Sequence, residues 1–518
     1  MFVFALCGAG TIALAQNTCE KLKSIQPSDA EFTTVELVPA GPPPGAAGRG
    51  AAPAGRGAQG SAPAVAAPGR GAGGGRGAAA PPPLPEYCHV AAILKPSSDS
   101  VIKMELYLPA KGWNGNFQML GNGGWAGSIQ GIAGMQSALR EGYATSATDT
   151  GHEGGNGMFA LGHPEKITDF AYRAVHETVV KSKMLIKAYY GKEPKYSYWN
   201  GCSTGGRQGL VEVTKFPDDF DGVIAGAPAN PHIHLHAAGV ERSIELMKNN
   251  APLTQAKVES LHKAILAQCD AIDGVKDGLI GDPTKCKFDP ASMLCKGADS
   301  DNCLTPGQVE TVKIEFGDIK TKKGEVIWTG YEPGTELQVA SFRQVPTAPG
   351  GGWDSIRILG HQDADYDWHK FDLDADVALA DKAGIDALTS DLSAFKKHGG
   401  KLLLYHGWAD PSIPPGHTVM FYESVLDKMG KKQDDWMRLF MVPGMQHCSG
   451  GSGTDQFNKM AVIERWREAN QAPEQIVAEH VANGQVDMSR PLCPYPQVAV
   501  YKGAGSTNDA ASFSCKLQ

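Results

Sequence analysis

From residue 89 onward, the pattern of apolar and polar positions alternates between strand-like and helix-like stretches. Short apolar or alternating runs at 101–108, 116–120 and 143–148 predict strands, the second running into a glycine-rich stretch at 121–127. A helix is predicted over 168–190, where Thr168 is placed to cap it. Phe170, Ala174, Val175, Thr178, Val179, Leu185 and Ile186 fall on one of its faces. Runs at 196–199 and 222–225 predict two more strands, with a helix beginning at Gly205 between them. Strand, crossover helix and strand in repetition predict an α/β fold with a mainly parallel central sheet covered on both faces.

This rhythm breaks after Ala229. Residues 230–395 are rich in Asp-Gly turns and poor in clean strands. It resumes with an apolar strand at 401–405, a helix at about 415–429, a strand at 437–442 and a helix at 458–467. The simplest organisation is one α/β domain, residues 16–229 and 396–518, with a lid-like domain of residues 230–395 inserted in it.

Two segments fall outside this pattern. Residues 1–15 carry an apolar stretch and an Ala13-Leu14-Ala15 cleavage site, so they are expected to be a signal peptide, shortened because the usual positive start is missing. The stretch is too short to span a membrane. Residues 41–83 are a Gly/Ala/Pro/Arg-rich run whose composition cannot bury a core, and a disordered surface loop is expected there. Loop-closure entropy grows only logarithmically with length, so such an insertion is tolerable.

The 518 residues carry a net charge of −8 and no long basic stripe, which argues against nucleic-acid binding. One of the eleven cysteines lies in the signal-like segment, leaving ten, an even number that fits an oxidising compartment, secreted or periplasmic. Proximity suggests Cys269–Cys286, Cys295–Cys303 and Cys493–Cys515 as local bonds. Cys19–Cys88 and Cys202–Cys448 are then the long-range ones. Zinc is the competing use of cysteine, but no Cys-x-x-Cys pair occurs in the chain.

Candidate chemistry starts at Gly201-Cys202-Ser203-Thr204-Gly205, a match to the Gly-x-Ser-x-Gly turn that lifts a serine hydroxyl above a sheet. Asp410 and His447 follow it, each just past a predicted strand end, in the chain order such a fold uses for its acid and base. A Cys202–Cys448 bond would bring two Cα atoms to about 4.4–6.8 Å and set Ser203 near His447. The backbone N–H of Thr204 and one from the glycine-rich loop, Gly124, are candidates for an oxyanion hole, and Trp125 beside them is a candidate pocket residue. His406 would sit beside the acid rather than act as base. His232, His234 and His236 alternate, which would suggest a metal site on a strand, although a structural or pocket-lining role is the simpler reading. Asp270, Asp273 and Asp277, with carbonyls between them, offer the oxygen-only shell that Ca²⁺ requires, without the spacing of an EF-hand.

Taken together, Gly201-Cys202-Ser203-Thr204-Gly205-Gly206-Arg207, Asp410 and His447-Cys448 resemble the motif of the tannase and feruloyl esterase family, which includes the mono(2-hydroxyethyl) terephthalate hydrolases. Similar stretches occur at Ala147-Thr148-Asp149-Thr150-Gly151-His152, Gly226-Ala227-Pro228-Ala229, His406-Gly407-Trp408-Ala409-Asp410-Pro411 and Arg490-Pro491-Leu492-Cys493-Pro494-Tyr495-Pro496. The resemblance spans residues 89–518. It implies an α/β-hydrolase with an inserted lid domain and a secreted serine carboxylesterase. The implied substrates are small esters of aromatic acids, hydroxycinnamic or gallic, including those linked to plant polymers, with neither nucleic acid nor membrane as partner. It also implies the same five disulfides and a structural Ca²⁺, without an organic cofactor. That site is on Asp270, Asp273, Asp277 and the carbonyls of Val275 and Leu279. Ile413 matches a pocket position that is aromatic in some terephthalate-type members, which weakens that alternative. A serine peptidase on the same fold, and a non-catalytic calcium-stabilised binding protein, are the other readings.

Overall fold

The computed structural model describes residues 19–25, 27–43 and 82–517. The expected signal segment, residues 1–15, and the interior of the Gly/Ala/Pro/Arg-rich stretch, residues 44–81, lie outside them.

Nine strands form the central sheet: β1 (Ala30–Val38), β2 (Tyr87–Leu94), β3 (Ile102–Pro109), β4 (Phe117–Leu120), β5 (Ala144–Thr148), β6 (Ser197–Cys202), β7 (Gly222–Gly226), β10 (Lys401–Gly407) and β11 (Met437–Val442). The short β8 (Ile319–Lys320) and β9 (Val326–Trp328) make a separate hairpin. The sheet order is β1-β2-β3-β5-β4-β6-β7-β10-β11. From β5 to β11 every neighbour is parallel, and the first three strands join antiparallel at one edge. The parallel strands β4, β5 and β7 are buried at every position, as expected of strands covered on both faces. Edge strand β1 instead alternates between half-buried and exposed residues, and the sequence reading missed it together with β2.

The β1–β2 pairing explains how the chain carries residues 41–83. Gly41 and Leu84 exchange both backbone hydrogen bonds, at 3.1 and 2.7 Å, so the insertion leaves and re-enters the fold at one point. The Cys19–Cys88 bond ties the same edge.

The helix expected to start at a Thr168 cap begins earlier. It runs from Pro164 through a π-turn, Asp169–Arg173, to Tyr190. Pro164 supplies a first helical residue with its φ already set, and the Thr168 hydroxyl donates back to the Pro164 carbonyl at 3.3 Å instead of capping. The alternating histidines are also corrected: they open a helix, His232–Asn249. Helical spacing puts His232 and His236 on one face and turns His234 away to Asp381 at 3.1 Å, so the three share no site.

Between β7 and β10 the chain adds no strand to the central sheet. That stretch holds an apolar cluster of its own, from Leu253 to Phe342 around Cys269 and Cys286. A second cluster joins Ile233, Trp328, Ile356 and Ile385 to Trp125, Phe170 and Ile413, and docks the insertion over the strand ends. Arg207 fastens it further. Fully buried in the helix Thr204–Lys215, it donates to the carbonyls of Ile385 and Phe170 and lies 4.6 Å over the Phe170 ring.

At the end of β7 the sheet leaves no room for a side chain. A Cβ on Gly226 would stand 2.2 Å from the Tyr405 ring. Gly226→Ala should therefore cost about 1–3 kcal/mol through overpacking, read as a lower urea midpoint. An unchanged midpoint would show that the Tyr405 ring yields freely.

Candidate active site

Ser203 sits between β6 and the helix Thr204–Lys215 at φ 64°, a conformation that side chains rarely adopt. Its N–H donates to the Gly226 carbonyl at 3.0 Å, and its own carbonyl accepts from Arg207 and Ala229, both at 3.1 Å. Gly201 has no alternative residue here, since a Cβ on it would lie 2.4 Å from the Gly205 carbonyl oxygen.

Asp410 lies just beyond β10 and is completely buried. Oδ1 accepts from the N–H groups of Ser412 and Ile413, at 2.7 and 2.9 Å. Oδ2 accepts from His447 Nδ1 at 2.7 Å and from His406 Nε2 at 3.0 Å. Burial pushes this carboxyl up, but the bonds and charges of His406 and His447 outweigh it and hold it well below the usual carboxylate range. With Nδ1–H of His447 given to the carboxylate, Nε2 is left bare to accept a proton. His406 stays beside the acid: Nε2 also reaches the Ile413 carbonyl at 3.1 Å, and Nδ1 meets Thr418 Oγ1 at 2.8 Å.

Ser203 and His447 line one cavity of about 380 Å³, together with Gly124, Trp125, Thr204 and Ile413. No hydrogen bond joins the side chains of Ser203 and His447. The Cys202–Cys448 bond spans 6.0 Å between Cα atoms and straps the serine turn to the histidine loop. The other four pairs expected from spacing also form bonds.

Opposite the serine turn, Thr204 Oγ1 donates to the Gly124 carbonyl at 2.6 Å, and the N–H of Gly123 is taken by Gln130 at 2.7 Å. Among the described residues, the N–H groups of Thr204 and Gly124 have no acceptor. His152 holds the same loop, with Nε2 2.7 Å from the Trp125 carbonyl, and burial pushes it down to about 4.

Much of the cavity wall comes from the inserted stretch: His232, Leu235, His236, Val240 and Trp328. His232 and His236 take the pocket-lining role expected of them, whereas sequence reasoning missed Leu235, Val240 and Trp328. Trp328 is tied in by its indole N–H, which donates to the Pro414 carbonyl at 3.1 Å, beside the acid loop.

The aspartates of the expected calcium site are crowded. Burial, then the like charges of Asp277 and Asp270, push Asp273 up to about 7 against the N–H of Val275. Asp270 accepts from the N–H groups of Asp277 and Gly278. Asp277 pairs with Arg490. Among the described residues, the groups of three metal-capable side chains whose donor atoms lie within 4.8 Å are Cys295–Asp299–Cys303 and His176–Glu212–Asp219, and the aspartate trio is not one of them. The all-oxygen donor set and its mutual repulsion fit a hard divalent cation, while Arg490 holds one carboxylate aside.

The family model described as "Tannase and feruloyl esterase" matches residues 88–516. The chain belongs to the tannase and feruloyl esterase family. It is similar to an uncharacterised esterase of Xanthomonas campestris, 38% identical over 83% of this chain and 84% of that protein. A probable feruloyl esterase B-2 of Aspergillus terreus is 35% identical over 83% of this chain and 86% of its own length. Among solved structures, feruloyl esterase B from Aspergillus oryzae superposes with a TM-score of 0.83 at 31% identity, covering 97% of this chain and 100% of that one. Tannin acyl hydrolase from Aspergillus niger shares the fold, with a TM-score of 0.72 at 23% identity over 84% of this chain and 87% of its own. The fold is thus of the α/β-hydrolase type, and this member of the family is a feruloyl esterase/tannase-like ester hydrolase.

The strap joins the serine turn to the histidine loop, so its loss is expected to disturb their alignment more than global stability. Replacing Cys202 and Cys448 together by alanine should cost about 2–4 kcal/mol, modest where four other bonds remain, yet lower esterase turnover much further. Turnover per folded molecule is the measurement, and equal loss of fold and activity would contradict this.

Proposed function

We propose that the chain is a secreted serine carboxylesterase that hydrolyses esters of aromatic acids, hydroxycinnamic or gallic. What carries the reading is the Asp410–His447 hydrogen bond at 2.7 Å, set beside Ser203 in one largely apolar cavity. His447 Nε2 takes the proton of the Ser203 hydroxyl as its oxygen attacks the ester carbonyl. The tetrahedral oxyanion is held by the N–H groups of Thr204 and Gly124, which are spoken for by no other acceptor. As the intermediate collapses, His447 returns the proton to the leaving alkoxide. A water then repeats the sequence on the acyl-enzyme and frees the acid. Asp410 fixes the imidazole tautomer and stabilises its charge throughout. The aromatic walls offered by Trp125 and Trp328 suit a planar acyl group. Five disulfides support an oxidising destination, and among the described residues no helix is long and apolar enough to cross a membrane.

The same proposal includes a structural Ca²⁺ held by Asp270, Asp273, Asp277 and the carbonyls of Val275 and Leu279. When bound, the ion supplies positive charge to carboxylates that otherwise repel, and it takes no part in acyl transfer.

Ser203→Ala should lower turnover of methyl ferulate and methyl gallate by on the order of 10⁴-fold or more. Near-normal hydrolysis by that variant would end the serine assignment. For the cation, chelation should lower Tm by about 2–4 °C and added Ca²⁺ restore it, whereas Asp273→Asn should respond to neither. A wild-type Tm indifferent to both treatments would remove calcium from the account.

A further inference from the structure

Of the two clusters of metal-capable side chains named above, Cys295–Asp299–Cys303 has no free thiolate, because its cysteines are bonded to each other. The other is His176–Glu212–Asp219, and none of the three lines the cavity of Ser203. His176 comes from the helix that ends at Tyr190, and Glu212 from the last turn of the helix Thr204–Lys215. Asp219 lies in the loop that leads into β7. His176 Nδ1 is 2.7 Å from Asp219 Oδ2, and a Glu212 oxygen lies within 4.8 Å of a ligand atom on each. The Phe216 ring stacks on the imidazole of His176, with centroids 3.8 Å apart and planes 11° from parallel, and fixes its orientation.

Glu212 is 1% exposed, and neither of its carboxylate oxygens receives a hydrogen bond from an N–H or O–H group. Burial, then the charge of Asp219, push its carboxyl well above the ordinary range. Lys183 does not relieve it. That ammonium donates to the Asp219 carbonyl at 2.5 Å, and among the described residues no ion pair joins it to either carboxylate. A buried carboxylate without a donor is costly, and the approach of a second one makes it more so. Either a proton shared with Asp219 or a cation among the three side chains answers this. A shared proton serves one Glu212 oxygen and leaves the other bare. A divalent cation meets the charge of both carboxylates and takes the His176 nitrogen as well. One imidazole with two carboxylates is a donor set that suits zinc better than the hard ions Ca²⁺ and Mg²⁺. Three protein ligands leave a fourth tetrahedral position, and His176 and Asp219 are only partly buried, so water can reach it.

We propose that His176, Glu212 and Asp219 bind one zinc-class divalent ion at a structural site. It clamps the far end of the serine helix against the helix that ends at Tyr190. The ion stands in place of the proton that His176 Nδ1 gives to Asp219. The site is separate from the cavity and does not depend on the esterase reading.

Isothermal titration of ZnCl₂ into untagged full-length protein, first dialysed against EDTA, tests this. Excess CaCl₂ is present throughout, so that any ion taken by the Asp270–Asp277 stretch is already supplied. Wild type should bind one equivalent and gain in Tm with Zn²⁺. His176→Phe keeps a ring against Phe216 but removes the nitrogen, and Glu212→Gln keeps the buried shape but removes the charge. Each should weaken the binding more than about 100-fold, beyond what losing a residue behind a ligand costs, and abolish the Tm gain. Zn²⁺ uptake that is absent in wild type, or retained by either variant, overturns the proposal. In the first case, a Tm of Glu212→Gln above that of wild type would assign the cluster to a shared proton.

Discussion

A carboxylate with no access to water must find all its hydrogen bonds inside the protein, and Asp410 imposes that condition on everything around it. It accepts four: two from the backbone immediately after it and one each from His406 and His447. The backbone pair is local, supplied by the turn that follows β10. The imidazoles need two different strand ends to be adjacent, which the parallel pairing of β10 with β11 provides. Because the carboxylate is held charged, His447 is fixed in one tautomer and one orientation. Loss of any of the four partners would leave a buried charge short of a bond, so acid, base and loops stand together.

The serine turn is the second demand, and the fold meets it by exclusion. Ser203 keeps a left-handed backbone because the strand before it, the helix after it and the Gly226 carbonyl leave no relaxed alternative. Cys202 then ties this turn to the histidine loop, so the two halves of the site are positioned by a covalent bond as well as by the sheet. What the sheet does not supply is the chamber. Its far wall comes from residues between β7 and β10, held down by Arg207 and by the indole of Trp328. The Ser203–His447–Asp410 cluster and the far wall of the cavity are therefore carried by different parts of the chain.

The parallel strands were legible because each is a short apolar run bounded by turns, and strand 437–442 falls where the pattern put it. β1 was not, since an edge strand with only one of its nine residues fully buried carries little apolar signal, and its partner β2 lies across the insertion of residues 41–83. Thr168 misled because a good capping residue is also tolerated inside a helix when its hydroxyl can bond backward. The three histidines misled for a related reason: alternation over five residues cannot distinguish a strand from one turn and a half of helix. The partners of Asp410 on its own loop follow from the order Asp410-Pro411-Ser412-Ile413, but the short approach of Thr204 to Gly124 does not, as those residues meet only when β4 and β6 pair.

Local chemistry was thus determined by the sequence alone: a serine turn that needs glycine on either side, an acid and a base after the right strands, and cysteines spaced for bonds. Each depends on a few neighbouring residues, whose steric and hydrogen-bonding limits hold wherever the chain goes. Tertiary structure decided what lines the cavity opposite Ser203. That wall is assembled from residues remote in the chain: His236 meets Ser355 within the inserted stretch, and Ile385 meets Arg207 only when that stretch packs on the strand ends.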